Sequence, residues 1–222
     1  MEKTVKTLLL LLRSWGNERL HIKIMTQIDC IGISKRFNQE IIFRDFTYNF
    51  NGNNKYAILG ENSSGKSTLL KIISGVLTAT KGKVNYSNNI SESKYISFTS
   101  PEMELLSDYT VSELFDFHFQ FQKPKITIED QLNISGLGNF KHKKYNNLSS
   151  GIMNKVKLTL ALFTDTPALL LDEPCSNFDH ENNEWYSKII NNYCMNQMII
   201  VASNDKHEYS FCNELINIQN FK

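Results

Sequence analysis

The chain has 222 residues, of which 41% are hydrophobic and 21% charged, and its formal net charge is +1. This length allows one domain with a full hydrophobic core, and the composition is that of an ordinary soluble globular protein. Because the charge is close to zero, bulk electrostatics does not favour nucleic acid or an acidic membrane surface as a partner. Cys30, Cys175, Cys194 and Cys212 lack CxxC spacing, which favours free thiols in a reducing compartment over a disulfide framework or a zinc site.

The N-terminus contains a short apolar block, Leu8–Leu12, with Arg13 directly after it. A membrane span needs about 20 apolar residues, so this block is too short to be one. It is not followed by the small-residue cleavage site of a signal peptide. We interpret residues 1–24 as a dispensable extension, either disordered or added by an upstream start codon. The alternative is a short amphipathic helix that contacts a membrane or a partner.

After this segment, the first part of the chain predicts mainly β-strands. A turn over Phe37–Glu40 separates the first two strands, and Gly75 closes the one helix of this part. The strands are predicted over Thr26–Ile33, Ile41–Phe50, Lys55–Gly60, Thr80–Tyr86 and Tyr95–Phe98, and the helix over Lys66–Ser74.

The middle of the chain, from Thr110 to about Leu162, is predicted to be mostly helical. Thr110 and Glu113 have the spacing of a capping box. Four phenylalanines between 115 and 121 alternate with period two, which alone favours a strand, but Leu114, Phe117 and Phe121 also have helical spacing. We predict a helix here because the capping pattern precedes it and no hairpin turn follows.

After Pro167 the chain alternates between predicted strands and helices. Such alternation indicates a parallel sheet with crossover helices, in which the helical block is an insertion. The predicted strands are Ala168–Leu171, Met198–Ala202 and Glu214–Ile218, and the predicted helices are His180–Asn192 and Asn204–Phe211.

A glycine-rich run after the third strand matches the pattern G-x-x-x-x-G-K-[ST] at every fixed position. Gly60 and Gly65 allow backbone angles that let consecutive amides converge on a phosphate. Lys66 adds a positive charge, and the hydroxyl of Ser67 is the expected ligand of Mg²⁺. The residues predicted to bind ATP here are Gly60, Glu61, Asn62, Ser63, Ser64, Gly65, Lys66, Ser67 and Thr68.

A pair of acids, Asp172 and Glu173, ends the apolar strand that begins at Ala168. The carboxyl end of a buried parallel strand lies at the sheet edge where nucleotides bind in such folds. Asp172 suits a contact to Mg²⁺ at the phosphates. Glu173 is the predicted general base that polarises or orients the attacking water.

These motifs together resemble the nucleotide-binding domain of ABC ATPases, from about Thr26 to the C-terminus. The run Leu148–Ile152, with sequence LSSGI, is similar to the Leu-Ser-Gly-Gly-Gln signature of the family. The resemblance implies that Ser149 and Gly151 contact the γ-phosphate held by a second subunit. It also implies that Phe37 stacks on adenine, the alternative being an ordinary aromatic side chain in the core. The run Ser176–Asp179 is similar to the loop that crosses the dimer interface.

Three motifs depart from the family pattern. Ser150 and Ile152 replace a Gly and a Gln of the signature, and Ser100–Glu102 lies where the family has a Gln after a strand. Asn204 stands where the family has its switch His, and an Asn amide donates hydrogen bonds but does not titrate. Asn204 is nevertheless counted with Lys66 and Glu173 as a predicted catalytic residue. These departures bear on the rate of hydrolysis and leave nucleotide binding intact.

The resemblance implies an α/β P-loop NTPase fold with a mostly parallel central sheet, an antiparallel β-subdomain and an inserted helical subdomain. The predicted ATPase domain is 25–222, with the helical subdomain at roughly 100–162. The expected cofactors are ATP and Mg²⁺. The expected partners are a second such domain, as a homodimer, and a separate transmembrane permease, with no nucleic acid. This places the chain in the cytoplasm, at the inner face of the cell membrane.

Two other functions are weighed against a transporter ATPase. The missing Gln and Asn204 also suit an ATP-dependent switch or assembly module with slow turnover. A soluble ABC protein acting on nucleic acid or ribosomes is disfavoured by the neutral charge and by the single copy of the domain.

Overall fold

A computed structural model describes residues 27–52, 54–87 and 96–222 of the protein. The interpretation of residues 1–24 as an extension lies outside these described residues. Within them, no helix is both long enough and apolar enough to cross a membrane.

A three-stranded antiparallel sheet forms the first part of the fold, in the order β2-β1-β4. Its strands are β1 (Gln27–Phe37), β2 (Glu40–Asn51) and β4 (Lys81–Tyr86). β1 continues four residues beyond the predicted end at Ile33, because Phe37 still pairs with Glu40. The turn is therefore only two residues long, and Asn38 takes the positive φ of 52° that it requires.

In the part of the chain that the structure describes, the central sheet has five strands, all of them parallel, in the order β5-β6-β7-β3-β8. The strand that precedes the glycine-rich loop and the strand that ends in the acids are separated by one strand, β7. The strand bounds are β3 Lys55–Leu59, β5 Ile96–Thr99, β6 Ala168–Asp172, β7 Met198–Ala202 and β8 Glu214–Asn217. β6 and β7 are buried along their whole length, as expected for strands covered on both faces.

Among the described residues, six α-helices connect these strands or lie in the inserted block. They are α1 Lys66–Ile73, α2 Val111–Phe121, α3 Ile128–Ile134, α4 Ser150–Phe163, α5 His180–Tyr193 and α6 Lys206–Tyr209. α6 is shorter than the predicted helix over Asn204–Phe211. It begins after Asp205, whose side chain accepts from the His207 amide, and it ends in a turn in which Cys212 bonds back to Tyr209.

The helical block between β5 and β6 has an apolar core of its own. Phe115 and Leu132 lie in this cluster with Leu148 and Val156. Thr110 and Glu113 form both halves of the predicted capping box at the start of α2, so this segment is a helix. The predicted fold class, with its parallel sheet, antiparallel sheet and inserted helices, is thereby confirmed. The exact bounds of the helical subdomain, roughly 100–162, stay our proposal.

Candidate nucleotide-binding site

Three loops meet at one edge of the parallel sheet because they follow neighbouring strands. Ile58 of β3 and Asp172 of β6 both pair with Ala202 of β7. The glycine-rich loop after β3 and the acids at the end of β6 therefore flank the turn after β7. The predicted phosphate loop, carboxylates and Asn204 are thus brought together, at the sheet edge where nucleotides bind in open α/β folds.

The glycine-rich loop is possible only with glycine at its two ends. Gly60 and Gly65 have φ values of 150° and 106°. A Cβ atom on Gly60 would lie 2.7 Å from the Ile218 side chain, and one on Gly65 would lie 2.7 Å from Ile42. Both distances are far below van der Waals contact. The loop is therefore tightly packed against the surrounding chain at both glycines.

Lys66 begins α1 and points back into the loop. Its Nζ donates to the carbonyl oxygens of Gly60 at 2.8 Å and Glu61 at 3.1 Å. Burial lowers the pKa of Lys66, while Glu173 and Asp172 oppose that shift. The ammonium is thus held within the loop, where it can meet a phosphate oxygen.

Ser67 and Asp172 form a hydrogen-bonded pair between α1 and β6. The Ser67 hydroxyl donates to Asp172 Oδ1 at 2.9 Å. Burial raises the pKa of Asp172 to about 6, and the hydrogen bond from Ser67 acts in the opposite direction. A buried carboxylate in this position is stabilised in its charged form by a nearby cation.

Glu173 adopts a backbone conformation that is rare for a glutamate, with φ of 43°. Its amide donates to the Ala202 carbonyl at 2.9 Å, so β7 holds it in this conformation. Glu173 lines a cavity of about 300 Å³ together with the glycine-rich loop. Strained residues of this kind cluster at functional sites, since the surrounding structure must maintain them.

Asn204 contacts the glycine-rich loop directly. Its Nδ2 donates to Asn62 Oδ1 at 3.1 Å. The residue that replaces a histidine in the family pattern is thus already at the phosphate loop, and it acts there as a hydrogen-bond donor. His207 lies on α6, and its amide donates to Asp205.

The cavity at the loop involves most of the predicted ATP-binding residues. Its walls also include Glu40 and Ile42, which the sequence analysis did not single out. The lining residues are Glu40, Ile42, Asn62, Ser63, Ser64, Gly65, Lys66, Ser67, Thr68 and Glu173. Phe37 is outside this set, and its side chain is 45% exposed, so it is no ordinary core aromatic. Lys35 Nζ lies 4.8 Å from the centre of the Phe37 ring.

The signature run lies at the start of α4 and is not part of the cavity wall. Ser149 is the N-cap of α4, and its side chain accepts from the Ile152 amide. A Cβ on Gly151 would lie 3.2 Å from the Asn177 carbonyl oxygen. The signature is therefore packed against the loop that follows the acids, and one chain does not bring it to its own phosphate loop.

Two polar residues that hold this region together were missed by the sequence analysis. Asn154, on α4, donates to the carbonyls of Pro174 at 3.0 Å and Ser176 at 2.9 Å. Glu208, on α6, accepts from the Cys175 amide at 2.6 Å. Each is a buried polar side chain in a helix, but no local pattern in the sequence reveals its partner.

The residues present suit a nucleotide with a bound metal ion. The Ser64 hydroxyl is buried within the loop and has no hydrogen-bond partner among the described residues, so it is available to a phosphate oxygen. The hydrogen bonds that the Lys66 ammonium makes to described residues go to two loop carbonyls, those of Gly60 and Glu61. Ser67 and Asp172 supply the hydroxyl and carboxylate oxygens that Mg²⁺ prefers.

Comparisons with known proteins agree with this arrangement. The chain is 29% identical to the zinc import ATP-binding protein ZnuC of Histophilus somni, over 81% of this chain and 67% of that protein. It is 23% identical to the cytochrome c biogenesis ATP-binding export protein CcmA of Rhizobium johnstonii, over 77% and 84%. It is 26% identical to the probable ATP-binding protein YbiT of Escherichia coli O157:H7, and it spans only 39% of the length of that relative.

Solved structures share the fold. A putative ABC transporter ATP-binding protein from Pyrococcus furiosus superposes with a TM-score of 0.74 at 24% identity, over 88% of this chain and 99% of that one. The dimeric structure of the bacterial ABC transporter cassette MJ0796 gives 0.75 at 21% identity, over 86% and 93%. The ABC transporter family model matches residues 43–176, more than half of the 222 residues. The chain therefore belongs to the ABC transporter family and is an ATP-binding domain of that family.

Proposed function

We propose that this chain binds and hydrolyses ATP as one of two such domains that close around the nucleotide and power a transporter. The main observation behind the proposal is that four side chains lie together at one edge of the sheet, those of Lys66, Ser67, Asp172 and Glu173. Relatives named as ATP-binding proteins of import and export systems support it.

Each residue at the edge has a distinct role in the proposed reaction. The loop amides and Lys66 hold the β- and γ-phosphates and stabilise the charge that develops on the transferred phosphoryl group. Ser67 and Asp172 would hold Mg²⁺, which supplies further neutralisation of phosphate charge. Glu173 orients the attacking water and accepts its proton. The products are ADP and phosphate.

A second copy of the chain completes the site in this proposal. Ser149 and Gly151 lie at the N-terminus of a 14-residue helix, where unpaired backbone amides favour an anion. They are outside the cavity of their own chain. We therefore assign them to the γ-phosphate held by the other subunit. The dimeric form of the MJ0796 cassette supports such an assembly.

The membrane-spanning part belongs to a separate permease chain in this proposal, which holds the ATPase at the inner face of the cell membrane. Affinity purification from detergent-solubilised membranes tests it. We expect a multi-span protein among the recovered chains, identified by mass spectrometry. Recovery of soluble proteins alone would contradict the permease assignment.

An ATP-dependent switch or assembly module with slow turnover is the second candidate. The contact between Asn204 and Asn62 favours it, because an amide at this position carries no charge and moves no proton. The two candidates share the site and the dimer, and they differ in the rate of hydrolysis.

Glu173→Gln tests the hydrolytic role directly. We expect phosphate release at saturating ATP to fall by about 100-fold or more, since a general base contributes this much. ATP binding, measured by equilibrium titration, is expected to persist because the loop and Lys66 are unchanged. Turnover is measured with the purified full-length chain in the presence of Mg²⁺.

Glu129→Gln is the matched control, because Glu129 is exposed on α3 in the helical block. It is expected to leave turnover at the wild-type value. If Glu173→Gln hydrolyses ATP as fast as the wild type, Glu173 is not the base. If the wild type binds ATP with very slow turnover, the switch is favoured over the transporter motor.

A further inference from the structure

A buried lysine on the signature helix α4 has no role in the nucleotide site described above. Lys157 is only 8% exposed. Its Nζ donates to the Pro101 carbonyl at 2.6 Å and lies 3.4 Å from the Ser100 carbonyl. Burial lowers the pKa of Lys157, and among the described residues no carboxylate forms an ion pair with it. Burying an ammonium is costly, so its hydrogen bonds must compensate for the lost water.

The segment that accepts these bonds, Ser100–Glu102, is also tied to the phosphate loop. It leaves the end of β5 and leads into the helical block. The Glu102 carboxylate pairs with Lys71 Nζ at 2.5 Å. Lys71 lies on α1, the helix that follows the glycine-rich loop. Burial raises the pKa of Asp172, and the charge of Lys71 is one of the contributions that oppose this rise. The segment therefore contacts the phosphate-loop helix on one side and the signature helix on the other.

We propose that Lys157 is a positioning residue that sets the signature, Ser149–Gly151, relative to the phosphate loop by holding the segment Ser100–Glu102. This inference rests on the proposed function, because the signature acts on a second subunit. In this proposal, Lys157 aligns the phosphate loop with the signature, which are the two half-sites that each chain contributes to the dimer.

The geometry of α4 explains why a residue far from the signature can set its place. Lys157 is eight residues after Ser149, which corresponds to about 12 Å along a helix. Asn154 is three residues before Lys157, so both side chains lie on one face of α4. Asn154 bonds to the loop after β6, and Lys157 bonds to the segment after β5. Two anchor points along one rigid helix fix the direction of its axis as well as its distance from the sheet.

Cavities on either side of Lys157 make these bonds important. One cavity of about 110 Å³ lies between β5, α2 and α4, and another of about 520 Å³ lies between α4 and the Pro101–Ser107 segment. Lys157 lines both. The ammonium therefore links α4 directly to the segment Ser100–Glu102 at a place where the space beside it is not filled by side chains. These cavities also leave room at position 157 for arginine, which is a larger cationic side chain.

Lys157→Met tests the proposal, because methionine replaces the unbranched aliphatic stem of lysine and removes its donor. Amide hydrogen exchange of the full-length chain is measured without nucleotide. We expect exchange in residues 149–153 and 100–103 to become about tenfold faster, since a buried hydrogen-bonded charge is lost, with the phosphate loop at 60–68 unchanged. Lys157→Arg, which retains the charge and the donors, is expected to restore the wild-type rates.

ATP-dependent dimerisation gives the second measurement, by sedimentation velocity in a Glu173→Gln background that preserves ATP. Lys157→Met is expected to raise the ATP concentration for half-maximal dimer about tenfold, with nucleotide binding by the monomer unchanged. Lys188→Met is the matched control, because the Lys188 side chain is 71% exposed. It is expected to change neither exchange nor dimerisation.

The outcomes separate this proposal from the proposed function. Unchanged exchange in residues 149–153 would overturn the role of Lys157, and so would faster exchange spread evenly over the whole chain, which indicates global destabilisation only. Failure of the parent chain to dimerise with ATP would instead overturn the dimer of the proposed function. Exchange alone would then decide whether Lys157 positions the signature.

Discussion

Asn204 is the residue in which this chain departs most clearly from the pattern of its family. It follows β7 and donates to Asn62 in the glycine-rich loop. Its amide can donate to a phosphate oxygen, but it has no proton to release and no charge. The contact with Asn62 therefore places an amide beside the glycine-rich loop, at the position where the resemblance to the family implies a histidine.

Asn204→His is expected to raise the rate of phosphate release by about tenfold or more, because an imidazole can carry charge and take part in proton transfer. The measurement is steady-state turnover at saturating ATP and neutral pH. Asn192→His, at an exposed position late in α5, is the control and is expected to have no effect. Equal rates for Asn204→His and wild type would show that another step limits turnover.

Between elements, Glu208 connects α6 to the loop that follows the acids. The carboxylate accepts from the Cys175 amide, and the side chain is almost fully buried, with 4% exposed. Burial is the main cause that raises the pKa of Glu208 to about 7. Hydrogen bonds with Ser203 and Cys175 oppose this rise in pKa, and the charges of Asp205 and Glu173 add to it. The folded state therefore binds a proton here that the unfolded chain releases near pH 4.5.

This raised pKa predicts a pH dependence of stability with a definite sign. The contribution of Glu208 is fully present below pH 4.5 and is lost as the pH rises towards about 7. Glu208→Gln stays neutral and keeps an acceptor for the Cys175 amide. Between pH 5 and 8, we expect the free energy of unfolding of the variant to rise relative to wild type by on the order of 2 kcal/mol.

Urea unfolding in EDTA without nucleotide measures this difference. The raised pKa of Asp172 acts in the same direction in both proteins and cancels in the comparison. Glu129→Gln, on the surface of α3, is expected to show no such change with pH. A difference between Glu208→Gln and wild type that is constant from pH 5 to 8 would contradict the prediction.

The elements themselves were mostly predictable, and the errors have physical causes. β6 and β7 were predicted within one residue because apolar runs bounded by acids and polar turns are locally specified. β1 was predicted too short, since Ser34–Arg36, just before its last residue Phe37, are polar, and their place in the strand depends on pairing with β2 and β4. α6 was predicted too long, because the chain must turn after Tyr209 to enter β8.

For the whole molecule, the phosphate loop predicts a gain in stability when ATP binds. ATP at 100 times its dissociation constant stabilises a folded protein by about 2.7 kcal/mol. For a chain of this size that corresponds to a rise in melting temperature of about 5–10 °C. Lys66→Ala is expected to remove this rise, because the ammonium held in the loop is lost.

Thermal denaturation with and without ATP measures the effect in the full-length chain. Lys188→Ala, which loses only an exposed pair with Glu184, is expected to keep the whole rise in melting temperature. An undiminished rise in Lys66→Ala would contradict the assignment of the phosphate loop.

The sequence by itself determined the glycine-rich loop, the acids at the end of β6 and the alternation that makes the sheet parallel. These are short-range patterns, in which glycine spacing, strand burial and charge act over a few neighbouring residues. Only the tertiary structure decided how Asn204 meets Asn62, how Glu208 holds Cys175 and how Lys157 reaches Pro101. Those pairs join residues 142, 33 and 56 positions apart. Their partners are set by which strands lie side by side and how helices pack on them, which no local pattern specifies.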